Sequence, residues 1–269
     1  MKTCTVLSNV DGPREWHNGK DYEACAIRLA KSIRQNGGSC KDIPIVFWYP
    51  RSNKPREETI NTLLYNGCTV IGDKCAIDDD ALYCKISACK NELKSDYTLY
   101  LDTDSYVMGD FSKIFDIDTD ISLMPAQWSY EGYCREEDME VVDKLYEAYG
   151  CTRDKTLMTV SQVDKKPCNF YFYSTAIVYK NGIGFGDKYE EAARAVLSSG
   201  LKFPDGHLPI VIGQVTLGMI VQKYKLTHST IPLDMYWNLN AHGYLPDNVA
   251  IAHYQDKNIW DIKYVNRLV

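Results

Sequence analysis

A short apolar stretch that ends in two carboxylates constrains this chain more than any other feature. Residues 97–101 are Tyr, Thr, Leu, Tyr and Leu, and Asp102 and Asp104 follow directly, separated by Thr103. An uncharged run of this kind predicts a strand buried on both faces of a parallel sheet. Because residues two apart on an extended chain point the same way, we expect both carboxylates to face one pocket. That pocket would lie at the carboxyl end of the strand, where open α/β sheets bind ligands.

The carboxylates of Asp102 and Asp104 are close enough to repel each other unless a positive charge lies between them. A divalent cation such as Mg²⁺ or Mn²⁺ suits this position, because hard cations bind carboxylate oxygens and associate with phosphates. The alternative is a pair of solvated carboxylates in a loop, which requires no ligand. The apolar strand before the pair favours the metal site.

The pattern of the whole chain predicts an α/β fold, because strand-like and helix-like segments alternate with short connections. Such alternation is typical of a mostly parallel central sheet flanked by helices. No repeat or linker divides the chain, so we expect one domain over 1–269. The predicted strands are 3–8, 43–49, 68–71, 97–101, 121–124 and 170–179, with short extended pieces at 226–231, 236–238 and 249–253. The predicted helices begin after Asp21, Pro55 and Asp80 and continue with 139–149, 187–197 and 210–224, and a loop is expected over 151–167.

Size and charge exclude some classes of protein. A chain of 269 residues with 45% hydrophobic residues can bury a sizeable core. Its net charge of -6 argues against a nucleic-acid partner held by phosphate neutralisation. A nucleotide ligand remains compatible with this charge if a metal offsets the phosphates.

The ten cysteines form no C-x-x-C pair and no zinc-ligand spacing. The chain opens without a signal peptide, and no apolar run reaches the roughly 18–20 residues that span a bilayer. We therefore expect reduced thiols and a cytoplasmic protein with no membrane span.

The segment from Tyr83 to Phe115 resembles the donor-binding core of nucleotide-sugar glycosyltransferases, and most resembles the glycogenin and bacterial galactosyltransferase family, family 8. The resemblance rests on a helix carrying Lys85, the apolar strand and the D-x-D that follows it. It implies a Rossmann-like GT-A fold in a single domain, with a nucleotide-binding half at about 1–115 and an acceptor half at 116–269. It also implies that Asp102, Thr103 and Asp104 bind Mn²⁺ or Mg²⁺ with the donor diphosphate, and that Lys85 reaches the donor.

A second stretch, from Ile251 to Trp260, is similar to the closing H-F-x-G-x-x-K-P-W element of the same family. This similarity implies that His253 is the third metal ligand and that Lys257 contacts the diphosphate. An imidazole is a reasonable ligand of Mn²⁺ beside two carboxylates. The chain departs from the pattern at Asp256, where the family has glycine.

A looser match concerns the residues that grip the transferred sugar. The family has an Asp-Gln pair on a helix, and here Gln214 is present but Gly213 replaces the acid. The loss of polar gripping residues suits a smaller donor sugar, such as the pentose xylose.

The resemblance implies transfer of a sugar from a nucleotide diphosphate sugar, with UDP the usual nucleotide, to a hydroxyl of a glycan or glycoprotein acceptor. A cytosolic enzyme of this kind resembles those of bacteria or of large DNA viruses. We expect the nucleoside to bind at the ends of the first two strands, near Leu7, Ser8, Asn9 and Tyr49.

Two questions stay open from the sequence. If the transfer inverts the anomeric configuration, a carboxylate must accept the proton of the acceptor hydroxyl, and the candidates are Asp73, Asp187 and Asp205. If it retains the configuration, no such base is required and Gln214 is expected under the anomeric carbon. Two other classes also fit the motif: a haloacid-dehalogenase-like phosphatase with Asp102 as its nucleophile, and a nucleotide-sugar-binding protein without catalysis.

Overall fold

The structure, a computed structural model, describes residues 2–13, 21–77, 81–91, 93–129, 138–201, 208–242 and 244–254. Strands and helices alternate over much of this part of the chain. Its strands are β1 Cys4–Asn9, β2 Ile45–Pro50, β3 Cys68–Asp73, β4 Tyr97–Leu101, β5 Ser105–Val107, β6 Ile121–Pro125, β7 Met158–Val160, β8 Pro167–Asn169, β9 Phe172–Lys180, β10 His228–Thr230, β11 Tyr236–Asn238 and β12 Ile251–His253. Its α-helices are α1 Tyr22–Asn36, α2 Glu57–Tyr65, α3 Ala81–Cys89, α4 Met139–Ala148, α5 Phe185–Ser198, α6 Leu208–Tyr224 and α7 Leu239–His242.

The chain divides into two compact units, each built from separate stretches of sequence. The first unit contains Met1–Lys74, Ser95–Asp116 and Ile231–Val269. The second contains Cys75–Lys94 and Ile117–Thr230. The organisation as one functional domain stays a prediction.

The first unit contains four parallel strands in the order β3-β2-β1-β4. All five residues of β4 are buried, which explains why this strand carries no charge. A smaller sheet of the same unit has the order β11-β12-β5, in which β12 runs antiparallel to β5. Helix α1 begins at the N-cap Asp21, whose carboxylate accepts a hydrogen bond from the Ala24 backbone N–H.

The second unit contains the strand order β10-β6-β9, with β10 parallel and β9 antiparallel to β6. Helices α3 to α6 belong to the same unit. Helices α3 and α5 approach closely at Gly186, since a Cβ built there would lie 2.2 Å from the Cys89 carbonyl oxygen.

The predicted fold class is confirmed: the chain is a mixed α/β protein whose main-sheet strands pair mostly in parallel and are flanked by helices. The expectation of an unpatterned loop over 151–167 is wrong, because β7 lies within it and pairs with β8 as an antiparallel hairpin. Helix α3 ends at Cys89, four residues before the predicted end at Leu93. The short helix α7 was not predicted. The predicted cap at 78–80 lies outside the described residues.

Among the described helices, none is both long enough and apolar enough to span a membrane. The nine cysteines in the described part of the chain are free thiols, and five of them are buried: Cys25, Cys68, Cys84, Cys89 and Cys168.

Candidate metal and donor site

The two carboxylates that follow β4 lie in a tight turn. The Ser105 backbone N–H donates to the Asp102 carbonyl oxygen at 3.1 Å, which closes a β-turn over Asp102–Ser105. Sequence reasoning placed Asp102 and Asp104 on extended backbone, and this part of the prediction is wrong. The turn still brings the two side chains together. Asp104 is buried and Asp102 is half-buried.

His253 joins this turn from a distant part of the sequence. It ends β12, and the antiparallel pairing of β12 with β5 sets it directly opposite Ser105. Its Nε2 lies 3.2 Å from Asp104 Oδ1. One donor atom from each of Asp102, Asp104 and His253 lies within 4.8 Å of the others, so the three residues form a cluster that can hold a metal ion.

The donor set and its burial fit a divalent cation. Two carboxylate oxygens and one imidazole nitrogen are suitable ligands for Mn²⁺, and the cation would offset the charge of a buried carboxylate. When Nε2 binds a metal, the proton of a neutral imidazole is on Nδ1 and is usually donated to a neighbour. His253 Nδ1 is buried and has no hydrogen-bond partner among the described residues, and the same holds for Ser105 Oγ on the opposite strand.

The end of β1 is tied to the same turn. The Ser8 hydroxyl donates to the Leu101 carbonyl oxygen at 2.7 Å. The Tyr100 hydroxyl lies 3.1 Å from Asp102 Oδ1 and is also hydrogen-bonded to Asn9 Oδ1. Asn9 is therefore linked to the carboxylate pair through one tyrosine.

Tyr22 is a neighbour of the carboxylates that sequence reasoning missed. Burial raises the pKa of its hydroxyl, and the charges of Asp104 and Asp102 raise the pKa further. Asp11 contributes to the same effect and is itself buried, accepting a hydrogen bond from Asn53 Nδ2 at 2.5 Å. The sequence could have predicted this position, because Tyr22 begins the helix that follows β1. Such helices start at the ligand-binding edge of a parallel sheet.

The other residues predicted for the nucleoside, and one of the three candidate bases, lie in strands of the first unit. Leu7 is fully buried within β1. Tyr49 lies near the end of β2, and its ring covers Gly72, where a Cβ would come within 2.3 Å of it. Asp73 ends β3 and is exposed, with Arg51 Nη2 3.7 Å from its Oδ1. Their roles stay predictions.

Lys85 and Gln214 belong to the second unit. Lys85 Nζ donates to the carbonyl oxygen and to the hydroxyl of Ser174, at 3.1 Å each. Gln214 accepts a hydrogen bond from the Tyr171 hydroxyl. It lies in the second turn of α6, so it does not occupy a helix start.

The remaining predicted residues fall in two groups. Asp187 lies in the first turn of α5, 3.5 Å from Lys90 Nζ. Asp205 and Lys257 lie outside the described residues, so the structure leaves their predicted roles untested.

The fold of this chain is similar to that of solved glycosyltransferases. The solved structures that share the fold include the galactosyltransferase LgtC, solved with donor and acceptor sugar analogs, the glycosyltransferase GlyE of Streptococcus pneumoniae, and mouse xyloside xylosyltransferase 1. The similarity to LgtC has a TM-score of 0.56 at 12% identity and covers 95% of this chain and 88% of that one. The similarity to GlyE has a TM-score of 0.52 at 12% identity and covers 96% of this chain and 56% of that one. The similarity to the mouse enzyme has a TM-score of 0.54 at 10% identity and covers 94% of this chain and 98% of that one. At these identities the likeness establishes the GT-A fold alone.

The family follows from the sequence. Residues 17–225 match the model of the Rhodobacterales glycosyltransferase domain. Because this match spans well over half of the chain, the protein belongs to that glycosyltransferase family and is an enzyme. No curated protein matches the sequence.

Proposed function

We propose that this glycosyltransferase is metal-dependent and transfers a sugar from a UDP-sugar to a hydroxyl of a glycan or glycoprotein. The observation that carries the proposal is the cluster of Asp102, Asp104 and His253, whose donor atoms lie within 4.8 Å of one another. In a glycosyltransferase, a cation site at the carboxyl end of a central strand is suited to bind the diphosphate of the donor.

In this mechanism, Asp102, Asp104 and His253 hold Mn²⁺ or Mg²⁺. The bound cation would supply positive charge to the diphosphate as it leaves the sugar. Lys85, whose ammonium is held by Ser174, would add a second positive charge to the leaving group.

The residues around the acidic turn would bind the nucleoside. Asn9 is linked to Asp102 through Tyr100, and Tyr22 lies within the field of both carboxylates. Leu7, Ser8, Tyr49 and Lys257 complete the proposed donor contacts.

The stereochemical course has two versions within this proposal. In an inverting transfer, a carboxylate accepts the acceptor proton, and the candidates are Asp73, Asp187 and Asp205. In a retaining transfer, Gln214 would lie under the anomeric carbon, and the leaving diphosphate would accept the acceptor proton, so that no base of the protein is needed. The stereochemistry of the transferred sugar, measured by NMR of the product, decides between them.

The proposal also includes the donor sugar, the resemblance to family 8 and a cytoplasmic location. Gly213 stands where family 8 enzymes carry an acid beside Gln214, which supports a donor with fewer hydroxyls to grip, such as UDP-xylose. LgtC is a galactosyltransferase and the mouse protein is a xylosyltransferase, so proteins of this fold include enzymes for a hexose and for a pentose. Cytoplasmic location is tested by cell fractionation.

Membership of the glycosyltransferase family favours the transferase over the other two hypotheses, a phosphatase with Asp102 as nucleophile and a non-catalytic binder. The phosphatase hypothesis predicts hydrolysis of p-nitrophenyl phosphate. The binder hypothesis predicts that UDP-sugars bind without turnover.

The test measures UDP release from UDP-xylose, UDP-glucose and UDP-galactose, with a mixture of glycan acceptors, in Mn²⁺ or in EDTA. We expect release only with the metal, and a loss of at least about a hundredfold in Asp104→Asn, which keeps the size of the side chain but removes its charge. Asp116→Asn is the matched control, because Asp116 is an exposed carboxylate of the same unit. Equal release in EDTA, or an active Asp104→Asn enzyme, would contradict the metal-dependent mechanism.

A further inference from the structure

Two side chains of helix α1 contact Tyr254, the residue that follows the proposed metal ligand His253. Arg28 Nε donates to the Tyr254 hydroxyl at 3.2 Å, and Arg28 Nη2 lies 3.2 Å from Cys25 Sγ, one turn earlier on the helix. The Tyr254 hydroxyl is also hydrogen-bonded to Cys25. The tyrosine is buried, so its hydroxyl is held between two side chains of α1.

The backbone of Tyr254 connects this contact to the acidic turn. Its N–H donates to the Asp104 carbonyl oxygen at 3.0 Å. The preceding residue, His253, directs Nε2 to the Asp104 carboxylate at 3.2 Å. A displacement of Tyr254 would therefore move the imidazole and the carboxylate relative to each other.

The same helix also holds the strand that carries the other side of the site. The Ser32 hydroxyl accepts a hydrogen bond from the Val107 N–H at 3.0 Å, and Asn36 Nδ2 donates to the Val107 carbonyl oxygen at 2.8 Å. Val107 ends β5, the strand that begins immediately after Asp104. Helix α1 thus contacts both sides of the site: it binds β5 through Val107, and it binds the residue after β12, Tyr254.

We propose that Arg28 is a positioning residue that acts through Tyr254 to set His253 against the Asp102–Asp104 turn. This inference rests on the proposed function, because it concerns the geometry of the proposed metal site. It adds a role for a helix residue that is 225 positions away from His253 in the sequence and is absent from every motif discussed above.

The sign of the change in Mn²⁺ affinity when Arg28 is replaced separates a positioning role from a purely electrostatic one. The Arg28 guanidinium is positive, so its field alone weakens the binding of a cation nearby. If Arg28 acted only through its charge, its removal would strengthen Mn²⁺ binding. If it positions His253, its removal weakens Mn²⁺ binding. The two roles predict opposite signs.

The experiment measures Mn²⁺ affinity of the full-length protein, without donor, from the free-Mn²⁺ signal in electron paramagnetic resonance. The variants are Arg28→Met, Tyr254→Phe, which removes only the hydroxyl, and Arg28→Lys as the conservative rescue. Lys31→Met is the matched control, because Lys31 is an exposed cation on the same helix. Thermal unfolding of each metal-free variant shows that it is folded.

We expect Arg28→Met and Tyr254→Phe each to raise the Mn²⁺ Kd about tenfold, the effect typical of residues that orient a metal ligand. Arg28→Lys should lie between wild type and Arg28→Met, and Lys31→Met should not weaken binding. In a His253→Ala background, Arg28→Met should not weaken Mn²⁺ binding further, because the ligand that it positions is absent. Unchanged or tighter Mn²⁺ binding in folded Arg28→Met would overturn the proposal.

A second measurement does not require metal. The imidazole ¹⁵N and ¹H signals of His253 in the metal-free protein, assigned with His253→Ala, should shift or broaden in Arg28→Met and Tyr254→Phe but not in Lys31→Met. If the wild type binds no Mn²⁺, the metal-dependent mechanism fails, and the imidazole signals still decide whether Arg28 positions His253. Unchanged signals would overturn the positioning role on their own.

Discussion

At the scale of single residues, the hydrogen bonds to the Asp164 carboxylate lead to a prediction about pH dependence. Its carboxylate accepts hydrogen bonds from the Ser129 hydroxyl at 2.5 Å, from the Ser129 N–H at 3.1 Å and from the Ser161 hydroxyl. The hydrogen bonds from the Ser129 and Ser161 hydroxyls lower the pKa of Asp164 to about 2. A carboxyl whose pKa falls on folding stabilises the folded state above its ordinary pKa, and this contribution is lost as the pH falls toward the folded value.

The prediction compares wild type with Asp164→Asn, which keeps the shape but cannot ionise. The stability difference between them, measured by urea unfolding, should be constant above about pH 5 and should shrink as the pH falls from about 4 to about 2. Ser129→Ala should reduce this dependence, because one hydroxyl donor to the carboxylate is gone. A difference that stays constant down to pH 2.5 would contradict the role of these hydrogen bonds.

The same scale shows where sequence reasoning succeeds and where it fails. Asp102 and Asp104 were found because they adjoin a strand without a single charge. Tyr100 was included only as part of that strand, although its hydroxyl contacts Asp102 two residues later and Asn9 ninety-one residues earlier. Arg28 was not found, because a contact across 226 positions leaves no spacing or periodicity in the sequence.

At the scale of elements, the close approach of α3 and α5 depends on one glycine. A Cβ at Gly186 would lie 2.2 Å from the Cys89 carbonyl oxygen and 2.5 Å from Lys90 Cα, both of them backbone atoms that cannot rotate away. Gly186→Ala should therefore destabilise the protein by about 1–3 kcal/mol through overpacking, although alanine itself favours a helix by roughly 0.5–1 kcal/mol.

Urea unfolding measures this effect of Gly186→Ala. Gly109→Ala is the control, because no atom lies within 4 Å of a Cβ built there and its φ is not positive. We expect a change within about 0.5 kcal/mol for the control. If Gly186→Ala were as stable as wild type, the two helices would have to separate without cost, which contradicts their close packing.

The elements that the sequence predicted share strong patterns. Strand β11 was predicted with its observed bounds, and α1 was predicted from its N-cap Asp21 and its helical spacing. Strand β11 is also only three residues long, but all three are buried. The hairpin of β7 and β8 was missed because each of its strands buries only its middle residue, and Met158 and Val160 of β7 are exposed. Short strands with an exposed apolar face lack the burial that makes a strand visible in sequence.

At the scale of the whole molecule, the three proposed metal ligands lie in the first unit, although they come from two stretches of chain separated by most of the second. The resemblance to a known family linked His253 to Asp102 and Asp104, since the residues between them give no such signal. Composition set only limits: the negative net charge does not exclude a nucleotide ligand, because a cation can offset the charge of its phosphates.

The proposed metal dependence leads to a prediction about global stability. A ligand that binds only the folded state raises the free energy of unfolding by about 2.7 kcal/mol at a hundred times its Kd. With Mn²⁺ present, UDP and the matching UDP-sugar should raise the unfolding midpoint, whereas GDP- and TDP-sugars should raise it less. EDTA or Asp104→Asn should abolish the increase, and Asp116→Asn should preserve it. An equal increase of the unfolding midpoint in EDTA would show that the nucleotide binds without the metal. A larger increase of the midpoint with GDP-sugars would show that GDP, and not UDP, is the donor nucleotide.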